Sequence, residues 1–279
     1  MGFRKYNAGC MHLHFPRADR LSILAAMILL AYALASYVQL PAQTLSLQLP
    51  GLYLEVDLNA NTVAGLLVAG LTASGADWLL RTHPAVHRHP TFEHWLVPAF
   101  TAWTIGVPLS QISGAPQWWY GFIGGGALLM LVLLAEYITL DPNDVRQPIA
   151  AAGLTIVSFA LCLILAISLR FSGLRLFLIL PALALAFWLV SLRTLHLRLH
   201  GRWLFLQAFV ISLVCTQIVT VLHYMPISPV SYGLVLIGPA YALTTIVANL
   251  NEDEPLRQAL IGPAVLLAVI WGVAWWINS

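Results

Sequence analysis

The feature that most constrains this chain is the recurrence of apolar stretches about a membrane's thickness long, separated by short polar breaks. The hydrocarbon layer of a bilayer is about 30 Å thick and a helix rises about 1.5 Å per residue, so one crossing takes roughly 20 apolar residues. Such stretches run over residues 21–40, 62–80, 94–111, 118–138, 149–169, 176–192, 203–222, 231–249 and 256–277. Of the 279 residues, 60% are hydrophobic and 9% charged, whereas a soluble domain carries roughly 25% charged residues. No soluble core absorbs that much apolar sequence. The expected fold is therefore an all-α polytopic membrane protein with about nine transmembrane helices, in which residues 21–279 form one helical domain behind a tail of residues 1–20.

Basic residues set the expected orientation, because Lys and Arg near span ends are retained in the cytoplasm. With the N-terminus inside and the C-terminus outside, eleven of them are cytoplasmic: Arg4, Lys5, Arg17, Arg20, Arg81, Arg88, Arg146, Arg193, Arg198, Arg202 and Arg257. Arg170 and Arg175 alone fall outside. The same arrangement puts Trp118-Trp119-Tyr120 and Trp275-Trp276 at the outer interface and Trp78, Trp95 and Trp203 at the inner one, where amphipathic rings collect. A multi-pass protein of the cytoplasmic (bacterial inner) membrane is expected.

A net charge of +2 with scattered basic residues argues against a nucleic-acid partner. Cys162 and Cys215 fall inside spans and Cys10 in the tail, so no disulfide framework or C-x-x-C motif arises. Asn7-Ala8-Gly9-Cys10 lacks the preceding apolar region of a lipoprotein signal, and the first span has no small-residue cleavage site behind it. That span should remain as an anchor.

Two regularities stand out between and across spans. From Leu45 to Leu58 apolar and polar residues alternate about Pro50-Gly51, the pattern of a short external β-hairpin with Leu49 opposite Leu52. It reads as a lid or as a bracing element. After the first span, Leu80-Arg81-Thr82 recurs as Leu192-Arg193-Thr194 and Tyr120-Gly121 as Tyr232-Gly233, both offset by 112, while Val145-Arg146-Gln147 and Leu256-Arg257-Gln258 are offset by 111. These matches raise a 1+4+4 internal repeat with parallel copies over 62–170 and 174–279.

Histidines crowd the cytoplasmic side. His83, His87, His89 and His94 follow the second span, and His196 and His200, spaced i,i+4, follow the sixth. Imidazole is a common ligand of transition metals, and an i,i+4 pair can grip one ion. Against this, Arg81, Arg88, Arg193, Arg198 and Arg202 are mixed among them, which repels a cation and makes the group a basic rim facing anionic headgroups. The rim is the expected reading, and no metal or other cofactor is expected.

Two acids lie within spans. Asp77 ends a stripe of Gly65, Ala69 and Ala73 on one helix face, with Arg81 one turn on, and Glu136 occupies a comparable depth in the fourth span. Intramembrane acids mark ion or proton paths, but near an interface they also pair locally or snorkel. Polar stripes mark two further helices: Ser212, Thr216, Thr220 and His223 on the seventh, and Gly238, Tyr241, Thr245 and Asn249 on the eighth. Such groups either bond neighbouring helices or line a polar cavity between the two helices.

No G-x-S-x-G elbow, Walker loop or dinucleotide glycine fingerprint occurs. Gly124-Gly125-Gly126 sits inside an apolar span as a close-packing patch, and Asp141, Asp144, Glu252, Asp253 and Glu254 lack Mg-binding spacing. No catalytic residue is assigned.

At Gly51-Leu52-Tyr53-Leu54, Ala76-Asp77-Trp78-Leu79-Leu80-Arg81 and Ala135-Glu136-Tyr137 the chain resembles a bacterial family of multi-pass proteins of unknown function. The resemblance covers most of the chain and implies no activity. Three classes stay open: a small-solute or ion transporter, favoured by the repeat and the polar stripes; an accessory or scaffold subunit bound to other membrane proteins; and a lipid-modifying enzyme.

Overall fold

The computed structural model describes residues 18–37, 43–49, 52–58, 60–81, 92–112, 115–141, 144–199 and 201–279. Among these, helices run over Ala18–Tyr37 (α1), Ala60–Leu80 (α2), Leu96–Gln111 (α3), Gln117–Thr139 (α4), Gln147–Phe171 (α5), Leu176–Arg198 (α6), Phe205–His223 (α7), Pro229–Asn251 (α8) and Leu256–Asn278 (α9). Two short strands, Gln43–Leu49 (β1) and Leu52–Leu58 (β2), pair antiparallel with Leu49 opposite Leu52.

The fold class expected from the sequence requires correction. The architecture is all-α, and among the described residues seven helices, rather than nine, are long and apolar enough to cross a membrane: α2 and α4 to α9. The expected span 94–111 is instead the 16-residue α3, about 24 Å long and too short to cross the hydrocarbon layer alone. It starts late because Phe92–His94 forms a 3-10 turn, whose acidic and imidazole side chains are engaged elsewhere. α1 is not among the seven, and its side chains from residue 35 onward lie outside the described residues. Nor does the β1–β2 pair set the architecture. β1 and β2 form a sheet of two strands only, which adds no layer to the bundle and has no independent stability in water. The strand side chains and the Pro50-Gly51 turn lie outside the described residues.

Local sequence explains where several helices begin. Ser228 caps α8, its Oγ accepting from the Ser231 N–H at 3.2 Å, and Pro229 follows at the first helical position, where its missing N–H costs nothing. In α5 the proline, Pro148, stands at the second helical position. Gly173 in the α5–α6 connection has φ +63° and Gly201 in the α6–α7 connection φ +92°, conformations that favour residues without a Cβ.

Apolar packing sorts the helices into two groups. One core joins Leu24, Ile28 and Tyr32 of α1 to Val68 and Leu79 of α2, Ala102 of α3 and Leu129 and Leu133 of α4. The other joins Leu161 and Leu165 of α5, Leu183 and Phe187 of α6, Ile211 and Cys215 of α7 and Tyr232 and Leu236 of α8. They meet where Val97, Val132 and Leu154 bring α3, α4 and α5 together. α5, which the duplication assigns to the first copy, thus packs with the second.

Glycine controls the first group. A Cβ on Gly125 would lie 2.6 Å from Ile105, and one on Gly126 2.8 Å from Leu29, whereas one on Gly124 would meet nothing within 4 Å. Two of the three glycines let α4 approach α3 and α1. Tyr32 of α1 donates its hydroxyl to the Ala102 carbonyl of α3. α9 sits at the edge against α8, with Leu256, Ile261, Val265, Val269, Trp275 and Trp276 exposed.

Candidate functional site

Where α4 ends, α6 ends and α3 begins, five ionisable side chains converge, four of them buried and Glu93 partly so. Glu136 lies in the last turn of α4, while Arg193 and His196 are three residues apart near the end of α6. That spacing puts both on one helix face, where a cation also complements the helix C-terminus. Glu93 and His94 come from the 3-10 turn before α3. Glu136 and Arg193 are each 1% exposed and His94 4%.

Their contacts form a chain. His196 Nε2 lies 2.6 Å from Glu93 Oε2, and Glu93 Oε1 lies 3.3 Å from His94 Nε2. The opposite nitrogen, His94 Nδ1, is 2.6 Å from Glu136 Oε2, and Arg193 Nη2 donates to that same oxygen at 2.5 Å. Thr139 Oγ1 approaches it at 3.4 Å. Imidazole, carboxylate, imidazole and carboxylate therefore alternate, each of the two middle groups using both of its polar atoms. The chain also crosses the boundary between the helix groups: Glu93, His94 and Glu136 belong to the α1–α4 side, Arg193 and His196 to the other.

The electrostatics follow from that geometry. Burial alone would raise the Glu93 carboxyl, but hydrogen bonds and charge from His196 and His94 outweigh burial and hold it well below the usual carboxylate range. Burial alone would lower His94, yet its bonds to Glu136 and Glu93 hold it above the ordinary imidazole value despite the opposing charge of Arg193. Three buried atoms of the cluster, Glu136 Oε1, Arg193 Nε and His196 Nδ1, have no hydrogen-bond partner among the described residues. His196 packs against Trp203, ring centroids 4.2 Å apart and planes tilted by 31°. A cavity of about 10 Å³, lined by Leu96, Val97, Phe100, Ser158, Leu189 and Val190, lies one helical turn further along α6 toward the middle of the bundle.

Of the residues singled out in the sequence, Glu136, His94 and His196 are brought into this cluster, together with Arg193 of the expected basic rim. Asp77 is not; it pairs with Arg81 at 2.6 Å on α2. His83, His87, His89 and His200 lie outside the described residues. Among the described residues no group of three or more His, Cys, Asp or Glu is arranged to hold a metal ion.

The two polar stripes make separate contacts. Ser212 Oγ donates to the Ala184 carbonyl of α6 at 2.6 Å, and Thr216 and Thr220 bond back along their own helix to the carbonyls of Ser212 and Thr216. The His223 carbonyl accepts from Arg170 at 2.8 Å, and its Nδ1 is buried without a partner among the described residues. On α8, Tyr241 packs edge-on to Phe159 of α5, and Thr245 is half-buried. Asn249 accepts from Arg198 at 3.0 Å and donates to the Ala259 carbonyl of α9 at 3.3 Å.

Sequence reasoning placed Arg193 and His94 on a basic rim and did not single out Glu93. The signal that identifies them is paired: an adjacent Glu-His before one helix, an Arg-x-x-His one turn deep in another, and a lone acid in the last turn of a third, all at the same end of the bundle. Each alone reads as interfacial. Together they supply complementary charge that burial demands.

No curated protein and no solved structure matches the chain. A protein-family profile described as "Protein of unknown function (DUF5656)" matches residues 40–277, in keeping with the resemblance carried by the Ala76 to Arg81 and Ala135 to Tyr137 stretches. Spanning nearly the whole sequence, that match shows that this multi-pass membrane protein belongs to the family Protein of unknown function (DUF5656).

Proposed function

We propose that the protein is a carrier that moves a small solute across the membrane in exchange for or together with protons, and that the chain His196, Glu93, His94, Glu136 is its proton-handling element. The observation that carries this reading is the alternation of imidazoles and carboxylates across the boundary between the two helix groups. Every member can accept a proton on one side and release one on the other, and intramembrane ionisable chains of this kind serve as proton relays. Because the acids are on one helix group and Arg193 and His196 on the other, a change of protonation alters the attraction between the groups. That is the coupling a carrier needs between proton occupancy and helix rearrangement.

On this reading the working site is the charged boundary of α4 and α6. The stripe of Ser212, Thr216, Thr220, His223, Tyr241, Thr245 and Asn249 then lines a solute path only in another arrangement of the helices. The basic residues exposed around the same end, Arg81 and Arg202, would face anionic headgroups of a bacterial cytoplasmic membrane. The two helix groups, each with its own core, would supply the pair of moving units.

The test is accumulation. Liposomes holding the purified protein are given an outward-alkaline or outward-acid gradient and a mixed pool of small carboxylates, amino acids and sugars, and the lumen is analysed by mass spectrometry. The reading expects one solute class to accumulate in a gradient-dependent manner, lost with a protonophore and reduced at least about tenfold in Glu136→Gln. No gradient-dependent solute would overturn it. That result would favour the accessory-subunit reading, for which the specific observation is α9, whose long apolar face is exposed along most of its length.

A further inference from the structure

We infer that Arg193 is the anchor for a small carboxylate anion, which binds there when Glu136 takes up a proton, so that the solute carried is a monocarboxylate accompanied by one proton. The inference rests on the proposed carrier function and names its substrate class.

The argument begins with how Arg193 uses its donors. Its bond to Glu136 Oε2, at 2.5 Å, is made by Nη2, which also lies 3.1 Å from His94 Nδ1. Nε is buried with no partner among the described residues, although the residue is 1% exposed. Glu136 likewise engages through Oε2 and leaves Oε1 buried and unpartnered. The guanidinium and carboxylate therefore meet through one atom each and do not form the two parallel bonds open to them. Nε of Arg193 is unused, and once Glu136 no longer takes Nη2 the two nitrogens form an edge that suits a planar two-oxygen anion far better than a spherical ion.

Charge balance supplies the exchange. The ionisable groups facing Glu136 are His94 from the turn before α3 and Arg193 from α6, with Glu93 and His196 one step further; the buried residues in the first turns of α5, Ala150 and Leu154, carry no charge. A proton moving from water to Glu136 leaves the Arg193 charge uncompensated in a site closed to solvent. An unpaired buried charge is strongly unfavourable, and one incoming monoanion restores neutrality. Proton and anion thus enter as a neutral pair, each raising the affinity for the other.

Glu136→Gln imitates the protonated carboxyl, and acetate serves as the probe. In detergent at pH 8, the thermal unfolding temperature of the variant should rise saturably with sodium acetate. Its apparent affinity should exceed that of the wild type by roughly tenfold or more, whereas sodium chloride at equal ionic strength should have little effect. Adding Arg193→Met to the variant should abolish the response. Should the variant fail to fold, Glu136→Ala takes its place and must bind acetate more tightly than the wild type at pH 8. Equal responses to acetate and chloride would overturn the carboxylate class, and no acetate response in either protein would overturn the inference. If that happened while gradient-driven accumulation of another solute persisted in liposomes, the carrier function would stand without it.

Discussion

Arg193 Nη2 and Glu136 Oε2 lie 2.5 Å apart, joining the end of α6 to the end of α4 across the boundary between two separately packed groups of helices. Both side chains are almost wholly buried, so the attraction is little screened by salt. Its net worth is nonetheless small, because desolvating the two charges offsets most of their mutual attraction. What the pair supplies is a requirement that both partners be present and in register.

Removing one partner should therefore cost far more than removing both. Arg193→Met alone is expected to destabilise the folded protein by about 3–5 kcal/mol, while Arg193→Met combined with Glu136→Leu should recover most of that loss. Chemical unfolding in mild detergent, followed by tryptophan fluorescence, checks this. Near-additive losses in the double variant would show that the two side chains are not coupled.

The turn before α3 should give stability a two-sided pH dependence. Glu93, held below its ordinary value of 4.5, contributes stability that is present above that value and is lost as pH falls toward its folded value. His94, held above its ordinary value of 6.5, contributes stability that is fully present below that value and is lost as pH rises through its folded value. Unfolding temperature measured against pH should therefore fall on both flanks. His94→Asn should flatten the alkaline flank and Glu93→Gln the acid one.

The three consecutive glycines of α4 should respond unequally to alanine. Gly125→Ala and Gly126→Ala drive a methyl into Ile105 and Leu29 and are expected to cost about 1–3 kcal/mol each. Gly124→Ala meets nothing within 4 Å and should be neutral or slightly stabilising, since alanine is the better helix former. Unfolding of the three purified variants distinguishes the positions.

Orientation is tested by labelling. In a cysteine-free background, Gln48→Cys should react with a membrane-impermeant maleimide added to intact cells, and Arg202→Cys only after the membrane is opened. Reaction of both from the same side would discard the arrangement that keeps the basic residues inside.

The helical architecture was legible because the bilayer imposes a length: apolar runs of about 20 residues mark α2 and α4 to α9 with little ambiguity. α3 was overestimated for a physical reason. Its apolar run was counted from His94, but His94 and Glu93 are held in a separate turn by their ion partners, leaving 16 helical residues. The site was legible only in part. Glu136 stands out as an acid in an apolar helix, yet nothing local reveals that Arg193 lies against it, because the two are brought together by packing between helices 57 positions apart. The hydroxyl stripes show the converse. Ser212 and Thr216 fall on one face by periodicity, but a hydroxyl in a helix can satisfy itself on a nearby carbonyl, and those of Thr216 and Thr220 do so on their own helix.

The most direct test of the account asks whether Glu136 exchanges a proton within the folded protein. Infrared difference spectra of the protein in a lipid film, taken as the buffer is stepped from pH 8 to pH 3, should show a protonated-carboxyl C=O band that is missing in Glu136→Gln. His94→Asn should change the pH at which that band appears, since the two groups share one hydrogen bond of 2.6 Å. A carboxylate at Glu136 that remains ionised throughout this range in the folded protein, with spectra identical in wild type and variant, would contradict the proton-handling role.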